Sequence, residues 1–122
     1  MSERIDTLVV GAGVVGSNAA QIAVGTGEHS RRIAYFLRPG RSPGLFWLGG
    51  YRSEMTGSKA SALDAFGAAN GLEVTRFDYS GHGASGGLFV DGTISAWLEQ
   101  SAHMVLSHAR GPRILVGSSM GG

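Results

Sequence analysis

Two short runs in this 122-residue chain have the spacing of chemical sites, and each follows a run of β-forming residues. Near residue 122, Ile114-Leu115-Val116 leads into Gly117-Ser118-Ser119-Met120-Gly121-Gly122, a G-x-S-x-G pattern. In a nucleophile elbow the central serine sits on a sharp, strained turn after a strand, and glycines two before and two after it let the turn pass close to its neighbours. Ser119 is then the nucleophile, and the Met120 N–H points at the oxyanion formed when the serine hydroxyl attacks an acyl carbon. A second donor is expected from the loop after an earlier strand. Leu48-Gly49-Gly50-Tyr51 follows the apolar run at 45–48, which makes the Tyr51 N–H the candidate. A plain turn of small residues is the alternative reading of both loops.

The other run, Gly11-Ala12-Gly13-Val14-Val15-Gly16, is G-x-G-x-x-G after the β-branched residues 7–10. Residues 5–23 resemble the N-terminus of flavin-dependent oxidoreductases, which implies that Gly11, Gly13 and Gly16 bind the pyrophosphate of FAD or NAD(P). The acidic residue that should follow on the next strand to hold the ribose hydroxyl is absent, because residues 32–37 end in Arg38 and Glu28 lies ahead of them. Arg38 either accepts a 2′-phosphate or simply precedes a proline turn.

Periodicity supplies the elements that must hold these loops. The Ala-rich residues 14–24 predict a helix ended by Gly25 and Gly27, and residues 32–37 and 45–48 predict strands separated by a Pro- and Gly-rich turn. Residues 58–70 predict a helix with Leu63 and Phe66 on its apolar face, closed by Gly71 in a left-handed conformation. Residues 72–79 predict a strand and 80–87 a glycine-rich loop. Ile94, Trp97, Leu98, Ser101 and Val105 mark the inner stripe of a helix capped by Asp91 or Thr93 and ended by Gly111-Pro112, and residues 113–116 predict the last strand. From residue 45 onward strand and helix alternate, which predicts a parallel sheet with flanking helices.

Composition narrows the function classes. The chain is 43% hydrophobic and 16% charged with a net charge of +1, so it has the makings of one compact domain and no field for nucleic acid. It has no cysteine, which excludes disulfides, thiolate metal sites and thiol nucleophiles. The longest apolar runs are strand-sized, against the roughly 20 residues of a membrane-spanning helix, and residues 1–4 lack the features of a signal peptide. Many of the 21 glycines fall at 11–16, 49–50, 81–87 and 117–122, each directly after a predicted strand, where α/β proteins place their sites.

Residues 31–122 resemble the first half of an α/β-hydrolase, and within that superfamily the acyl-protein thioesterase (depalmitoylase) type. The resemblance rests on Gly50-Tyr51-Arg52-Ser53-Glu54-Met55-Thr56-Gly57-Ser58-Lys59-Ala60, Arg76-Phe77-Asp78-Tyr79-Ser80-Gly81-His82-Gly83-Ala84-Ser85, Gly111-Pro112-Arg113-Ile114-Leu115-Val116 and the serine motif, in that order. It implies a partial α/β-hydrolase fold truncated after the nucleophile elbow, and serine-dependent hydrolysis of small-molecule or acyl-protein esters and thioesters. No metal or organic cofactor is implied. The expected location is the cytoplasm of a bacterium, or the mitochondrial matrix of a eukaryote. The chain then divides into a Rossmann-like segment at 1–25 and a hydrolase segment at 31–122, with the junction between Ala23 and Ser30, as in a truncated, fused or misassembled reading frame.

A working triad in this fold runs nucleophile, acid, histidine along the chain. All nine acidic residues and the four histidines, His29, His82, His103 and His108, precede Ser119. The isolated chain is therefore expected to be nearly inactive, with the edge at 113–116 uncovered. His82 is the one upstream histidine on a loop facing the elbow, but its stretch resembles a structural loop of the family. His103 and His108 read as helix residues, and Asp78 as a hydrogen-bonded support of its own loop.

Overall fold

The computed structural model describes residues 19–108 and 111–122. Among them are five strands, β1 (Ala20–Val24), β2 (Arg31–Arg38), β3 (Arg41–Leu48), β4 (Leu72–Phe77) and β5 (Arg113–Gly117), and two helices, α1 (Ser58–Asn70) and α2 (Ile94–His108). The strands form one sheet in the order β1-β2-β4-β3-β5. β3, β4 and β5 run parallel, as the strand–helix alternation predicts, but β2 is antiparallel to both β1 and β4. The sheet is therefore mixed rather than parallel throughout. Only Pro39 and Gly40 separate β2 from β3, yet the two are not neighbours, because β4 lies between them.

The predicted helix over residues 14–24 is not one where it is described. Ala20–Val24 is β1, with Ile22 opposite Ile33 and Val24 opposite Arg31 on β2. Pairing carries Val24 into the core at 3% exposure, and this tertiary burial overrides the helix preference of the two alanines. The proposed segment 1–25 thus contributes a strand to the same sheet as the segment 31–122.

Alternation along the strands sorts the core into two layers. On one face β4 presents Val74 and Arg76, level with Leu45 and Trp47 of β3, and α1 lies over them. The buried positions of α1 are Ala60 and Gly67, while Phe66 is 55% exposed, so its packing surface is not the predicted Leu63–Phe66 pair. The helix approaches through its smallest residues: a Cβ on Gly67 would overlap the Val74 side chain. Gly71 ends α1 at φ 68°, the predicted left-handed cap. Across this face Arg38 grips Asp64 of α1 with two hydrogen bonds of 2.8 Å, and Arg76 lies 3.7 Å from the same carboxylate.

The opposite face buries Val24, Ile33, Phe77, Tyr79, Trp97 and Met104 in one cluster. The inner stripe of α2 is Trp97, Gln100 and Met104, whereas Ile94 and Leu98 are 61% and 68% exposed. The apolar spacing misplaces this stripe because a polar residue turns the helix inward. The Gln100 amide accepts the Ser80 N–H at 2.9 Å and donates to the Ser80 hydroxyl at 2.8 Å. Thr93 caps the helix by accepting the Ala96 N–H at 3.0 Å.

Two outcomes follow. Alanine favours a helix over glycine by about 1 kcal/mol, but Gly67→Ala forces α1 off Val74, and overpacking of this kind costs about 1–3 kcal/mol; urea unfolding will show a net loss of stability. The Arg38 hydrogen bonds hold the Asp64 carboxyl below its usual range. Its contribution is present above about pH 4 and lost as pH falls through the lowered folded value. For this partly exposed pair, Asp64→Asn therefore lowers stability by about 0.5–1 kcal/mol at neutral pH, and the difference closes in urea titrations under acid conditions.

Candidate active site

The serine turn grows directly out of the sheet. The Ser118 N–H donates to the Leu48 carbonyl at 3.1 Å, which extends the β5–β3 ladder by one step before the chain enters a 3-10 turn at Ser119–Gly121. That turn is closed by Gly121 N–H to Ser118 O and Gly122 N–H to Ser119 O, both 3.0 Å. Ser119 adopts φ 56°, and Arg52 is the other non-glycine residue with positive φ among those described. Such a conformation costs on the order of 1–3 kcal/mol in a side-chain-bearing residue and persists only when the surroundings over-determine it.

The surroundings here are backbone. A Cβ on Gly121 would overlap the Leu48 carbonyl and approach the Gly49 oxygen, and one on Gly117 would overlap the Gly121 carbonyl. The two glycines of the motif are therefore steric requirements of the turn. The loop after β3 lies against it: the position of a Cβ on Gly50 is 3.3 Å from the Ser119 Cβ. Ser119 is exposed. Among the described residues neither the Met120 nor the Tyr51 N–H has a hydrogen-bond partner, and the loop carrying Tyr51 adjoins the serine turn at Gly50.

The loop carrying Tyr51 is a turn closed by Ser53 N–H to Gly50 O at 3.1 Å, with Arg52 at φ 58°. It rests on residues that follow β4. The Tyr79 hydroxyl donates to the Gly49 carbonyl at 2.9 Å, and burial pushes the phenol up, so it keeps its proton. The Arg52 N–H donates to His82 Nε2 at 3.1 Å, and His82 Nδ1 lies 3.0 Å from the Ser80 carbonyl. His82 is 5% exposed and has both ring nitrogens engaged, which suits a structural group and leaves no free base. Asp78 accepts the Met55 N–H at 2.7 Å and the Ala84 N–H at 2.9 Å. Burial raises its carboxyl, while those two N–H groups draw it back down.

Two features were not legible as parts of the site. Lys59, the one lysine of the chain, donates to the Ser118 hydroxyl at 3.2 Å, next to Ser119. A cation in the first turn of a helix opposes the macrodipole, and that misfit is the signal that singles it out. Tyr79 reads in sequence as the end of a strand, and only the fold brings its hydroxyl under Gly49. Gly11, Gly13 and Gly16 lie outside the described residues. Among the described residues no group of His, Asp and Glu is arranged to hold a metal ion, and no helix is long and apolar enough to cross a membrane.

A parallel β4-β3-β5 core flanked by α1 and α2, with a strained G-x-S-x-G turn leaving β5, is a partial α/β-hydrolase fold. No protein-family profile matches the chain. Over 90 residues it is 42% identical to a bovine protein named palmitoyl-protein thioesterase ABHD10, mitochondrial, covering 74% of this chain and 29% of that one. A crystal structure of a putative hydrolase from Agrobacterium vitis matches with a TM-score of 0.81 at 51% identity, over 84% of this chain and 41% of the other. Mouse alpha/beta hydrolase domain-containing protein 10 matches with a TM-score of 0.75 at 36% identity, over 84% and 40%. The chain is similar to α/β-hydrolases over this region, and it spans less than half the length of each of these relatives.

The steric case at the turn is directly testable. Gly121→Ala must push the elbow away from the end of β3, at a cost of about 2 kcal/mol or more in urea unfolding.

Proposed function

We propose that the chain supplies the nucleophile and oxyanion half of a serine hydrolase acting on carboxylic esters or acyl thioesters, with acyl-protein thioesters as the finer assignment. The supporting observation is the strained φ 56° of Ser119 on a turn whose two glycines leave no room for a Cβ. The Ser119 Oγ attacks the acyl carbon as its proton passes to a histidine, and the carbonyl π pair moves onto oxygen. The Met120 and Tyr51 N–H groups receive that oxyanion in hydrogen bonds formed as the charge develops. Collapse expels the thiolate or alkoxide, which takes up the proton, and water then hydrolyses the acyl-Ser119 ester by the same steps.

His82 does not serve as that base, since both of its nitrogens are committed to the loops. The relatives are more than twice as long as the matched region, and the proposal assigns the acid and the catalytic histidine to the part that lies outside it. Acyl transfer of this kind needs no cofactor. The acyl-protein substrate is suggested by the name of the bovine relative, as is a mitochondrial location if the source is eukaryotic; the bacterial cytoplasm is the counterpart.

The test is a hybrid in which residues 19–122 replace the matching part of the Agrobacterium vitis hydrolase. A fluorophosphonate probe should label Ser119 of the hybrid, and Ser119→Ala should lower hydrolysis of a long-chain acyl thioester by on the order of a thousandfold or more. Labelling that survives Ser119→Ala would overturn the nucleophile assignment.

A further inference from the structure

Three successive peptide units connect Gly49 to Arg52 beside the serine turn. The Gly49 carbonyl accepts the Tyr79 hydroxyl at 2.9 Å, which fixes the first unit. The Gly50 carbonyl accepts the Ser53 N–H at 3.1 Å, and because a trans peptide points its N–H opposite its C=O, this sends the Tyr51 N–H the other way. The Arg52 N–H donates to His82 Nε2 at 3.1 Å, which fixes the third. Each of the three units is thus held by one hydrogen bond, and the Tyr51 N–H, on the unit between the other two, has no partner among the described residues.

The chemistry at His82 is specific. A carbonyl only accepts, so at 3.0 Å from the Ser80 oxygen Nδ1 carries the hydrogen. An N–H only donates, so Nε2 facing Arg52 is unprotonated. The imidazole is neutral in the Nδ1–H form, and protonating it places a second N–H against the Arg52 N–H. The ring cannot turn away, being walled by Tyr79, Phe89 and Trp97 at centroid distances of 5.6, 5.3 and 5.2 Å. The charged groups facing this pocket are the Asp78 carboxylate, from the same loop, and the Arg52 guanidinium, stacked 4.6 Å over Phe89.

We propose that His82 is a positioning residue for the oxyanion loop: in its neutral Nδ1–H form it holds the Tyr51–Arg52 peptide so that the Tyr51 N–H faces the serine turn, and its protonation releases that peptide. The proposal rests on the reading of Tyr51 as oxyanion donor, while its test needs no turnover. In the 15N-labelled 122-residue chain, the imidazole nitrogens of His82 should report the Nδ1–H form near about pH 8, with the Arg52 amide protected from hydrogen exchange. As the pH is lowered until the imidazole nitrogens report a doubly protonated ring, Arg52 protection should fall by about 10-fold, the worth of one hydrogen bond, and the Tyr51 amide signal should shift with it. His82→Gln, whose amide offers both an acceptor and a donor but does not titrate, should keep the protection at every pH; His82→Leu should lose it at every pH. An Nε2–H form, or Arg52 protection indifferent to both pH and His82→Leu, overturns the proposal. If His82→Leu does not fold, the parent titration and His82→Gln still decide it. Failure of Ser119 labelling in the hybrid would remove the catalytic reading and leave this result standing.

Discussion

The whole arrangement depends on backbone meeting backbone at the end of β3. Gly121 lies against the carbonyls of Leu48 and Gly49 with no space for a Cβ, and the Ser118 N–H is tied to the same Leu48 oxygen. Contact at this range sets the position of the serine turn relative to the next loop more tightly than side-chain packing does, because no rotamer can absorb an error. It also accounts for the φ of Ser119. The strain is local, and a ladder hydrogen bond on one side and a steric stop on the other maintain it.

A second layer of order comes from the segment after β4, where consecutive residues face different ways. Asp78 holds two backbone N–H groups from separate loops, Tyr79 reaches the Gly49 carbonyl, Ser80 ties to Gln100 of α2, and His82 meets Arg52. The loop thereby couples the sheet end, the second helix and the turn carrying Tyr51. Its polar groups are buried but paired, which is the condition under which burial adds rigidity rather than cost.

Local chemistry was legible in the residues, and long-range chemistry was not. Ser58–Asn70 could be read to its ends because the Gly71 cap is a local signal, and the serine motif could be read because its spacing is itself a local pattern in which Gly117 makes room for Gly121, although the room Gly121 needs is set by Leu48 and Gly49 of another strand end. Ala20–Val24 could not, since its extended form exists only through pairing with β2. The inner stripe of α2 was misplaced for a related reason: Gln100 is buried by a bond to Ser80, twenty residues away, while Leu98 is left outside. Likewise the buried face of α1 follows from how closely the helix can approach Val74, a quantity that hydrophobic spacing does not encode.

The register of β5 has a consequence for when the site comes into being. β1 and β2 form a local hairpin and β3, α1 and β4 a local crossover, but Gly44 meets Arg113 across 69 residues of sequence. Pairings of that separation carry the largest loop-closure cost and form late. The serine turn has no neighbour to strain against until β5 docks beside β3, so an incompletely folded chain carries an ordinary, relaxed serine. The strained conformation of Ser119 is thus a property of the finished fold, and the growing or misfolded polypeptide lacks it.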